Sequence, residues 1–508
     1  MTFREAEAQR PATGRPVTAA PAVRTGSGLQ RALADPAVRF WVAIWVEVAL
    51  VGSYLLIRTA HLPRSYLIAW AIMAGVVGLV APASGLVGLV AIAPFTEPLS
   101  FSRELGLKPV LILPITAGVL LRQLSSWIGI QRVPRLQAPL VLAALLALGA
   151  ALGVLTTFNN LGPKLGGQAA QLWLPGIGGG VLILLAAYWA GRNGWTRPFW
   201  VAVGAATIGG VLSLIEFVDR PLIRNSPIAW MLRGEFDPSR ITGIIPSPNG
   251  VAALMILPAG VLIAVVLFAR SRAAKLLAGL LTMPLIVALF LTLSRAPMLG
   301  LGAIAVIFAL RFSRALGLAL VVLGLVAAAV LLPPYLRERA ETTNIPVTDN
   351  RYLVASDDLR LQAWASSLYM WREEPLIGHG FQSYRELHGY FGDPILRAPH
   401  NEWLRFFAEG GLLSGVTALL FVAFTAARLA SSRSLVATGA LGAFIGWVLA
   451  ASFNNPLLYV QVNAIVFTIV GIGLAAAGRI DGDAAGRPAA RAPVSDPGRS
   501  AWSESSAT

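Results

Sequence analysis

Arginine and histidine side chains stand at the start of three hydrophobic segments in the second half of the chain. Arg240 precedes a proline-rich stretch that ends at Asn249, Arg295 lies in a short turn between two apolar runs, and His400 opens a third run. A helix N-terminus presents free backbone N–H groups and about half a positive charge. Adding a cation there creates a site for an anion such as phosphate. The pattern therefore predicts anion chemistry at these helix starts.

Each of these residues also has a simpler interpretation. Arg295 is placed to anchor a hairpin by extending its side chain towards the lipid headgroups. Arg240 is also compatible with an ordinary loop arginine, and His400 with a helix cap or a surface histidine. An arginine near the bilayer costs about 2.5 to 3.5 kcal/mol at mid-depth, so it usually has a partner or a function. The joint occurrence of all three at helix starts favours the functional interpretation.

Metal and nucleotide chemistry find no support in the sequence. His61, His379 and His388 have no spacing to carboxylates that indicates a metal site, and the chain contains no cysteine. No phosphate-binding loop or dinucleotide fingerprint is present. Glu47 and Glu216 fall within or at the end of apolar runs, where structural pairing is favoured over proton relay. We therefore predict a site without metal or cofactor.

The composition indicates that these residues are positioned by membrane-spanning helices. Of the 508 residues, 56% are hydrophobic and 13% are charged, whereas soluble domains carry about 25% charged residues. Apolar runs of about 17 to 22 residues recur along the chain, and about 20 are needed to cross the hydrocarbon core as a helix. The sequence therefore predicts an all-α polytopic membrane protein with 12 to 14 transmembrane helices, the lower number applying if the short runs between 66 and 98 form fewer spans. The fourteen candidate spans are 40–57, 66–80, 84–98, 109–121, 138–155, 172–190, 199–217, 249–268, 276–293, 296–310, 316–332, 403–427, 435–452 and 457–477.

The charge distribution predicts the orientation of these spans. The net charge of +15 lies mostly in the tails and in every second short loop, so it indicates membrane topology and not nucleic-acid binding. Both tails, 1–37 and 479–508, are then cytoplasmic and are predicted to be disordered. The intervening residues 38–478 form the predicted transmembrane domain.

Two long segments, 218–248 and 333–402, fall on the outer side in this topology. Loops beyond about 15 residues are usually functional or disordered. In the larger one, Asp357, Leu361, Trp364 and Leu368 follow a helical period, and glycine and proline residues from Pro375 onward end it. We predict an ordered amphipathic helix at the outer membrane surface. Its aromatic residues suit the membrane interface, or for a few of them stacking on sugar rings.

The motifs of this region resemble the O-antigen ligase and O-antigen polymerase family. That family shows an arginine and a tryptophan on a loop helix, then Pro-Leu-x-Gly-x-Gly, then His-Asn and a Glu-x-Gly turn, preceded by two arginine motifs. The corresponding residues here, within 240–413, are Arg240-Ile-Thr-Gly, Ser294-Arg295, Arg360-Leu-Gln-Ala-Trp364, Pro375-Leu-Ile-Gly-His-Gly380, His400-Asn401 and Glu409-Gly-Gly.

The resemblance implies a membrane glycosyltransferase of C-type architecture on the outer face of the bacterial cytoplasmic membrane. Such an enzyme moves a glycan from a polyprenyl-diphosphate carrier to an acceptor hydroxyl on a glycan, lipid or protein, with no metal or nucleotide. Ligases, polymerases and protein O-glycosyltransferases share these motifs. The implied partners are the lipid-linked donor, the acceptor, membrane lipid and envelope-glycan assembly proteins. The implied site comprises His400 as catalytic base or donor-phosphate ligand, Arg240, Arg295 and Arg360 for the donor diphosphate, and Asn249, Asn401 and Glu402 in support.

A transporter or flippase for a lipid-linked or anionic substrate is the main alternative. Many helices around an arginine-lined anion site also fit that function. It predicts inverted repeats with broken helices in matching halves, and the two halves of this sequence do not visibly match. A non-catalytic assembly protein is a third alternative, in which His400 and Arg295 are freely replaceable.

Overall fold

A computed structural model describes residues 35–59, 64–95, 108–127, 137–225, 240–245, 247–326, 356–393 and 396–486. The chain divides into two compact units, Met1–Val46 and Glu47–Thr508. Within the described residues the first unit contains only the beginning of the first helix. The site and every contact below belong to the second unit. Most of the two predicted tails lies outside the described residues, although the last helix continues into the second tail and ends at Gly486.

Helices are the regular elements throughout the described ranges. Serine and asparagine side chains cap several of them; for example, Ser247, Ser271, Asn401 and Ser434 each accept a hydrogen bond from the first turn that follows. In chain order the helices are α1 Pro36–Thr59, α2 Arg64–Val80, α3 Pro82–Ile92, α4 Lys108–Trp127, α5 Ala138–Leu161, α6 Pro163–Trp173, α7 Gly179–Arg192, α8 Arg197–Val218, α9 Arg220–Arg224, α10 Pro248–Phe268, α11 Arg272–Leu291, α12 Arg295–Phe312, α13 Arg314–Val326, α14 Ser356–Glu373, α15 Tyr384–Leu387, α16 Glu402–Ala430, α17 Leu435–Ala451 and α18 Val460–Gly486.

The helix lengths confirm an all-α polytopic membrane protein. Within the described ranges, 9 helices are long and apolar enough to cross a membrane, and further apolar helices of 10–17 residues accompany them. Every one of the fourteen predicted spans overlaps one of these helices. The predicted span 172–190 begins earlier than expected, at Pro163, because α6 continues through a π-helical turn at Leu174–Gly178 into α7.

Two helices occupy the centre of the bundle. The apolar windows of α10 and α18 are 78% and 94% buried, compared with 28% and 33% for α11 and α12. Glycines allow the central helices to approach closely: a Cβ at Gly260 would lie 2.6 Å from the backbone of Gly442 in α17. Small residues serve this purpose in membrane bundles, where packing replaces the hydrophobic driving force.

Helix α16 is interrupted inside the protein. At Gly411 the backbone has φ 61° and ψ −159°, so the helical hydrogen bonds are broken at this point. The Pro-Leu-x-Gly-x-Gly segment supplies replacements: Gly380 donates its N–H to the carbonyl of Glu409 at 2.9 Å, and Leu412 donates to the carbonyl of Pro375 at 2.8 Å. Away from lipid, a broken helix is tolerated when its freed backbone groups are bonded in this way.

The same segment is also attached to α5. Phe381 donates its N–H to the carbonyl of Gly153 at 2.9 Å, and the hydroxyl of Thr157 donates to the carbonyl of Phe381 at 2.7 Å. The residues that follow α14 are therefore fixed to two helices of the bundle, and this positions the elements that surround His400.

The described part of the segment 333–402 contains a helix, α14, where one was predicted. α14 buries Ala363 and Met370 against Tyr384 and Ala408, whereas Leu361 and Leu368 are exposed. The sequence pattern identified the helix and its leucine side but did not indicate which side packs against the rest of the protein. Small side chains permit a closer approach to α16, and the exposed leucines suit the membrane interface.

We predict that Gly378→Ala destabilises the protein. Gly378 has φ +67°, and a Cβ there would lie 2.5 Å from the backbone carbon of Glu409. Strain of this kind costs about 1 to 3 kcal/mol, so the thermal unfolding temperature of the purified protein should fall. Gly389→Ala is the control, because nothing lies within 4 Å of a Cβ at that position. Equal stability of the two variants would contradict the close approach of this loop to α16.

Candidate active site

His400 lies just before the N-terminus of α16 and has a positive φ, a backbone conformation that non-glycine residues rarely adopt. Its φ is 51°, and the next residue, Asn401, caps α16 by accepting hydrogen bonds from the N–H groups of Trp403 and Leu404 at 3.0 and 3.1 Å. The indole of Trp364 in α14 donates to the carbonyl that precedes His400 at 3.0 Å. The histidine is thus held from both sides.

Backbone strain is concentrated in this region. Among the described residues, the non-glycine residues with positive φ are Leu293, Gln382 and His400. Gln382 and His400 line one cavity, and Leu293 lies in the turn that precedes Arg295. Conformations of this kind cost about 1 to 3 kcal/mol each and cluster at functional sites, which supports a functional interpretation of this end of the bundle.

The surroundings of His400 favour its neutral form. Burial lowers the pKa of the imidazole below its usual range, and the nearby Arg360 guanidinium lowers it further. A hydrogen bond with Asn454 and the charge of Asp393 oppose this shift without cancelling it. The Nδ1 atom is buried and has no hydrogen-bond partner among the described residues. A neutral imidazole beside a cavity is suited to accept a proton near neutral pH.

Asp393, the acidic group in this environment, is itself fixed. It is fully buried and accepts hydrogen bonds from the hydroxyl of Tyr384 at 2.8 Å and from the N–H of Leu396 at 2.9 Å. These bonds hold the carboxylate in the loop after α15, where it acts on His400 through its charge.

A cavity of about 400 Å³ adjoins His400, a size within the range that small-molecule ligands occupy. Its walls come from the turn before α15, the segment that leads into α16, the first turns of α16, and the connection from α17 to α18. Three arginines and several amides give it a polar lining. The lining residues are Gln382, Tyr384, Arg385, Arg397, Ala398, Pro399, His400, Arg405, Glu409, Asn454, Asn455, Leu458 and Tyr459.

A buried ionic cluster forms the floor of this cavity. Arg405 approaches Glu402 at 2.8 Å and Glu409 at 4.0 Å, and all three side chains are buried. Glu402 also accepts the N–H of Leu457 at 3.0 Å. Buried charges are costly unless paired, so this cluster fixes the first turns of α16 against the connection between α17 and α18. Glu402, which was predicted to support the site, is thus a member of this ionic cluster.

Arg240 belongs to a second cluster, formed by the starts of α10 and α12. Its Nε donates to the carbonyl of Thr292 at 2.9 Å and its Nη2 to Asn249 Oδ1 at 3.4 Å. Ser294 donates to the same Asn249 oxygen at 2.9 Å. Arg240 and Asn249 thus hold the turn that carries Arg295, whose side chain is exposed.

The N-terminus of α10 lies between the two clusters. Tyr459, which lines the His400 cavity, has a side-chain hydrogen bond with Ser247. A Cβ at Gly250 would lie 3.1 Å from the ring of Tyr459. The first turn of α10 therefore contacts the cavity wall on one side and presents Asn249 to Arg240 on the other.

The structure thus brings the predicted residues into two neighbouring groups. In the first group, His400, Asn401 and Glu402 are consecutive at the start of α16, and Arg360 is close enough to act electrostatically on His400. The second group consists of Arg240, Asn249 and Arg295. Sequence reasoning missed several cavity residues. The spacing of Arg405, three after Glu402 and four before Glu409, is a helical ion-pair signal. The others carry no comparable signal: Gln382, Arg385, Arg397, Asn454, Asn455 and Tyr459.

Part of the chain is similar to a known protein family. The family model described as O-antigen ligase matches residues 280–419, from within α11 to within α16, and this range includes Arg295, Arg360 and His400. No curated protein matches the chain. The family match confirms the resemblance and supports a glycan-transferring function in a membrane. Over residues 280–419 the chain is therefore similar to the O-antigen ligase family.

Proposed function

We propose that this protein transfers a glycan from a polyprenyl-diphosphate carrier to an acceptor hydroxyl, with His400 as the general base. The observation that carries the proposal is the position of His400, whose lowered pKa favours the neutral imidazole beside a cavity of about 400 Å³ within the family segment. In the proposed step the acceptor oxygen attacks the anomeric carbon, and its proton passes to His400. The bond from that carbon to the phosphate oxygen breaks, and polyprenyl diphosphate leaves.

The leaving diphosphate requires positive charge, which we assign to Arg240, Arg295 and Arg360. Charge-assisted hydrogen bonds from guanidinium groups stabilise such an anion. Arg360 acts electrostatically on His400, so a diphosphate at Arg360 lies within reach of the base. Arg240 holds the turn of Arg295 through Thr292, and the start of α12 adds its helix dipole. The proposed reaction uses no metal or nucleotide, and a chelator should leave the rate unchanged.

We place this reaction on the outer side of the cytoplasmic membrane. The basic residues Arg311, Arg428 and Arg433 lie at the C-terminal end of α16 or beside it: Arg311 donates to the carbonyls of Leu429 and Ala430, whereas His400 adjoins the N-terminal end. By the positive-inside rule, the basic end is cytoplasmic, together with both termini. Envelope polysaccharide assembly, with its lipid-linked donors and assembly proteins as partners, is the corresponding process.

The experiment that tests the function supplies the purified protein with polyprenyl-diphosphate glycans and with glycan, lipid and protein acceptors separately. Extension of one acceptor identifies ligase, polymerase or protein glycosyltransferase activity. Release of the carrier without transfer would indicate hydrolysis. Movement of the lipid-linked glycan across a vesicle membrane without turnover would instead support the flippase alternative.

We predict that His400→Ala lowers the transfer rate by about 10²- to 10⁴-fold, the usual contribution of a general base, while expression and membrane insertion stay intact. His379→Ala is the matched control. The His379 ring is half-buried in the same region but bonds to the carbonyl of Met370, outside the cavity lining, so this variant should retain transfer. Normal transfer by His400→Ala would refute the catalytic assignment.

The pH dependence of transfer provides a second test of the base. The pKa of His400 lies below its usual value of about 6.5, so the imidazole stays neutral as the pH falls through 7. We therefore expect kcat/KM to decline only when the pH falls below about 6.5. Arg360→Gln removes a charge that lowers this pKa, so the acidic limb should move to higher pH. The shift is measured from pH profiles normalised to each variant's maximum. An unmoved limb would argue against proton transfer to His400.

The diphosphate assignment predicts a kinetic effect at Arg295. Losing a hydrogen bond to a charged group, worth about 1.5 to 3 kcal/mol, should reduce kcat/KM for the donor by about ten- to hundredfold in Arg295→Ala. Arg314→Ala is the control, because Arg314 is exposed just beyond the opposite end of α12. Equal donor kinetics in the two variants would exclude Arg295 from the donor site.

A further inference from the structure

The cavity beside His400 contains a group of amide side chains that the reaction above does not use. Gln382 Nε2, Asn454 Nδ2 and both amide atoms of Asn455 are buried and make no hydrogen bond within the described part of the chain. Asn454 and Asn455 are only 6% and 3% exposed, and all three residues line the cavity. Buried polar side-chain atoms are almost always hydrogen-bonded. The concentration of such atoms on one cavity therefore points to a ligand.

These amides come from two separate parts of the chain that converge on the proposed base. Gln382 lies in the turn before α15 and has a φ of 66°, a strained backbone conformation that non-glycine residues rarely adopt. Asn454 and Asn455 lie in the connection that follows α17, and Asn454 also contacts His400. A ligand bonded to these amides is therefore within reach of His400.

The pattern of donors and acceptors indicates the chemical class of this ligand. The side chain of Asn455 offers both an N–H donor and a carbonyl acceptor. A ligand that satisfies both atoms must therefore contain a hydrogen-bond acceptor and a hydrogen-bond donor. A hydroxyl does both, whereas the oxygens of an ionised diphosphate only accept and would face the Asn455 carbonyl oxygen unfavourably. Gln382 and Asn454 add two further N–H donors. A neutral ring with several hydroxyl groups satisfies all of these atoms.

We propose that Gln382, Asn454 and Asn455 form a sugar subsite that binds the hydroxyl groups of the sugar ring adjacent to the bond being made. This inference rests on the proposed glycan transfer and deepens it: the arginines hold the diphosphate, and the amides hold the sugar. Asn454 and Asn455 lie outside residues 280–419, the range that the family model matches. The sugar is either the first residue of the donor or the acceptor residue, and both present the same hydroxyl chemistry.

Steady-state kinetics of Asn455→Leu and Gln382→Met test the subsite. Each variant keeps the approximate volume of the side chain but removes its hydrogen bonds, so KM for the bound sugar should rise about ten- to hundredfold, with a smaller change in kcat. Donor and acceptor are varied separately, and the substrate whose KM rises identifies which sugar the amides bind. Gln461→Leu is the matched control, because Gln461 is a fully buried amide in α18 that does not line the cavity. Its KM values should match those of the wild type.

Lipid-binding measurements distinguish a subsite for the sugar from a subsite for the diphosphate. Wild type and Asn455→Leu should bind sugar-free polyprenyl diphosphate equally, whereas a subsite for the donor sugar predicts weaker binding of the glycan-loaded carrier by Asn455→Leu. Loss of affinity for the sugar-free carrier would assign the amides to the diphosphate and overturn the proposal. Thermal unfolding of each variant shows whether a folding defect is responsible, and Gln382→Met provides the independent second variant.

The subsite and the proposed function fail in distinguishable ways. If the wild type transfers no glycan to any acceptor, the transfer function is wrong. If the wild type transfers normally and both variants keep wild-type KM values for donor and acceptor, the function stands and the sugar subsite is wrong.

Discussion

The interruption of α16 at Gly411 is the feature on which the end of the protein that carries His400 depends. Within a membrane protein, a break in a helix leaves backbone groups that lipid cannot bond. Here the segment from Pro375 to Gly380 bonds the carbonyl of Glu409 and the N–H of Leu412. That pairing fixes the end of α14 to the bundle and, through the link from Phe381 to α5, orients the turn that carries Gln382. The cavity wall that carries Gln382 therefore depends on one backbone requirement.

A buried ionic cluster holds another part of the cavity lining. Arg405 lies between Glu402 and Glu409, where removing the arginine would leave two buried carboxyl groups without a partner charge. Glu402 accepts the N–H of Leu457, so the same cluster holds the connection that carries Asn454 and Asn455. The start of α16, which presents His400, is thereby rigid, and this rigidity supports the strained backbone at His400. Pre-organisation of this kind suits the proposed role of His400 as a general base.

The N-terminus of α10 links the two groups of functional residues. It contacts Tyr459 in the cavity wall and, through Asn249, the Arg240 cluster beside Arg295. Positive charge and hydrogen-bonding amides are consequently kept in adjacent but separate regions. Such an arrangement matches a substrate with an anionic diphosphate at one end and hydroxyl-rich sugar at the other. Basic residues lie at the far end of α16, where Arg311 donates hydrogen bonds to the last carbonyls of that helix; this distribution supports the proposed orientation in the membrane.

The sequence by itself determined the fold class, the approximate position of every span, and the helix starts that carry Arg240, Arg295 and His400, because these follow from local hydrophobicity, capping residues and motif order. The family match at residues 280–419 confirms the resemblance drawn from those motifs. Tertiary structure alone decided which face of α14 is buried, since small residues there allow closer packing than the exposed Leu361 and Leu368. It also decided that Arg405, Gln382, Asn454 and Asn455 join His400 at one cavity. Gln382 and the pair Asn454 and Asn455 are far from His400 in sequence, and their convergence with it depends on the contacts of the interrupted helix and on the bond from Leu457 to Glu402, which no local pattern reveals.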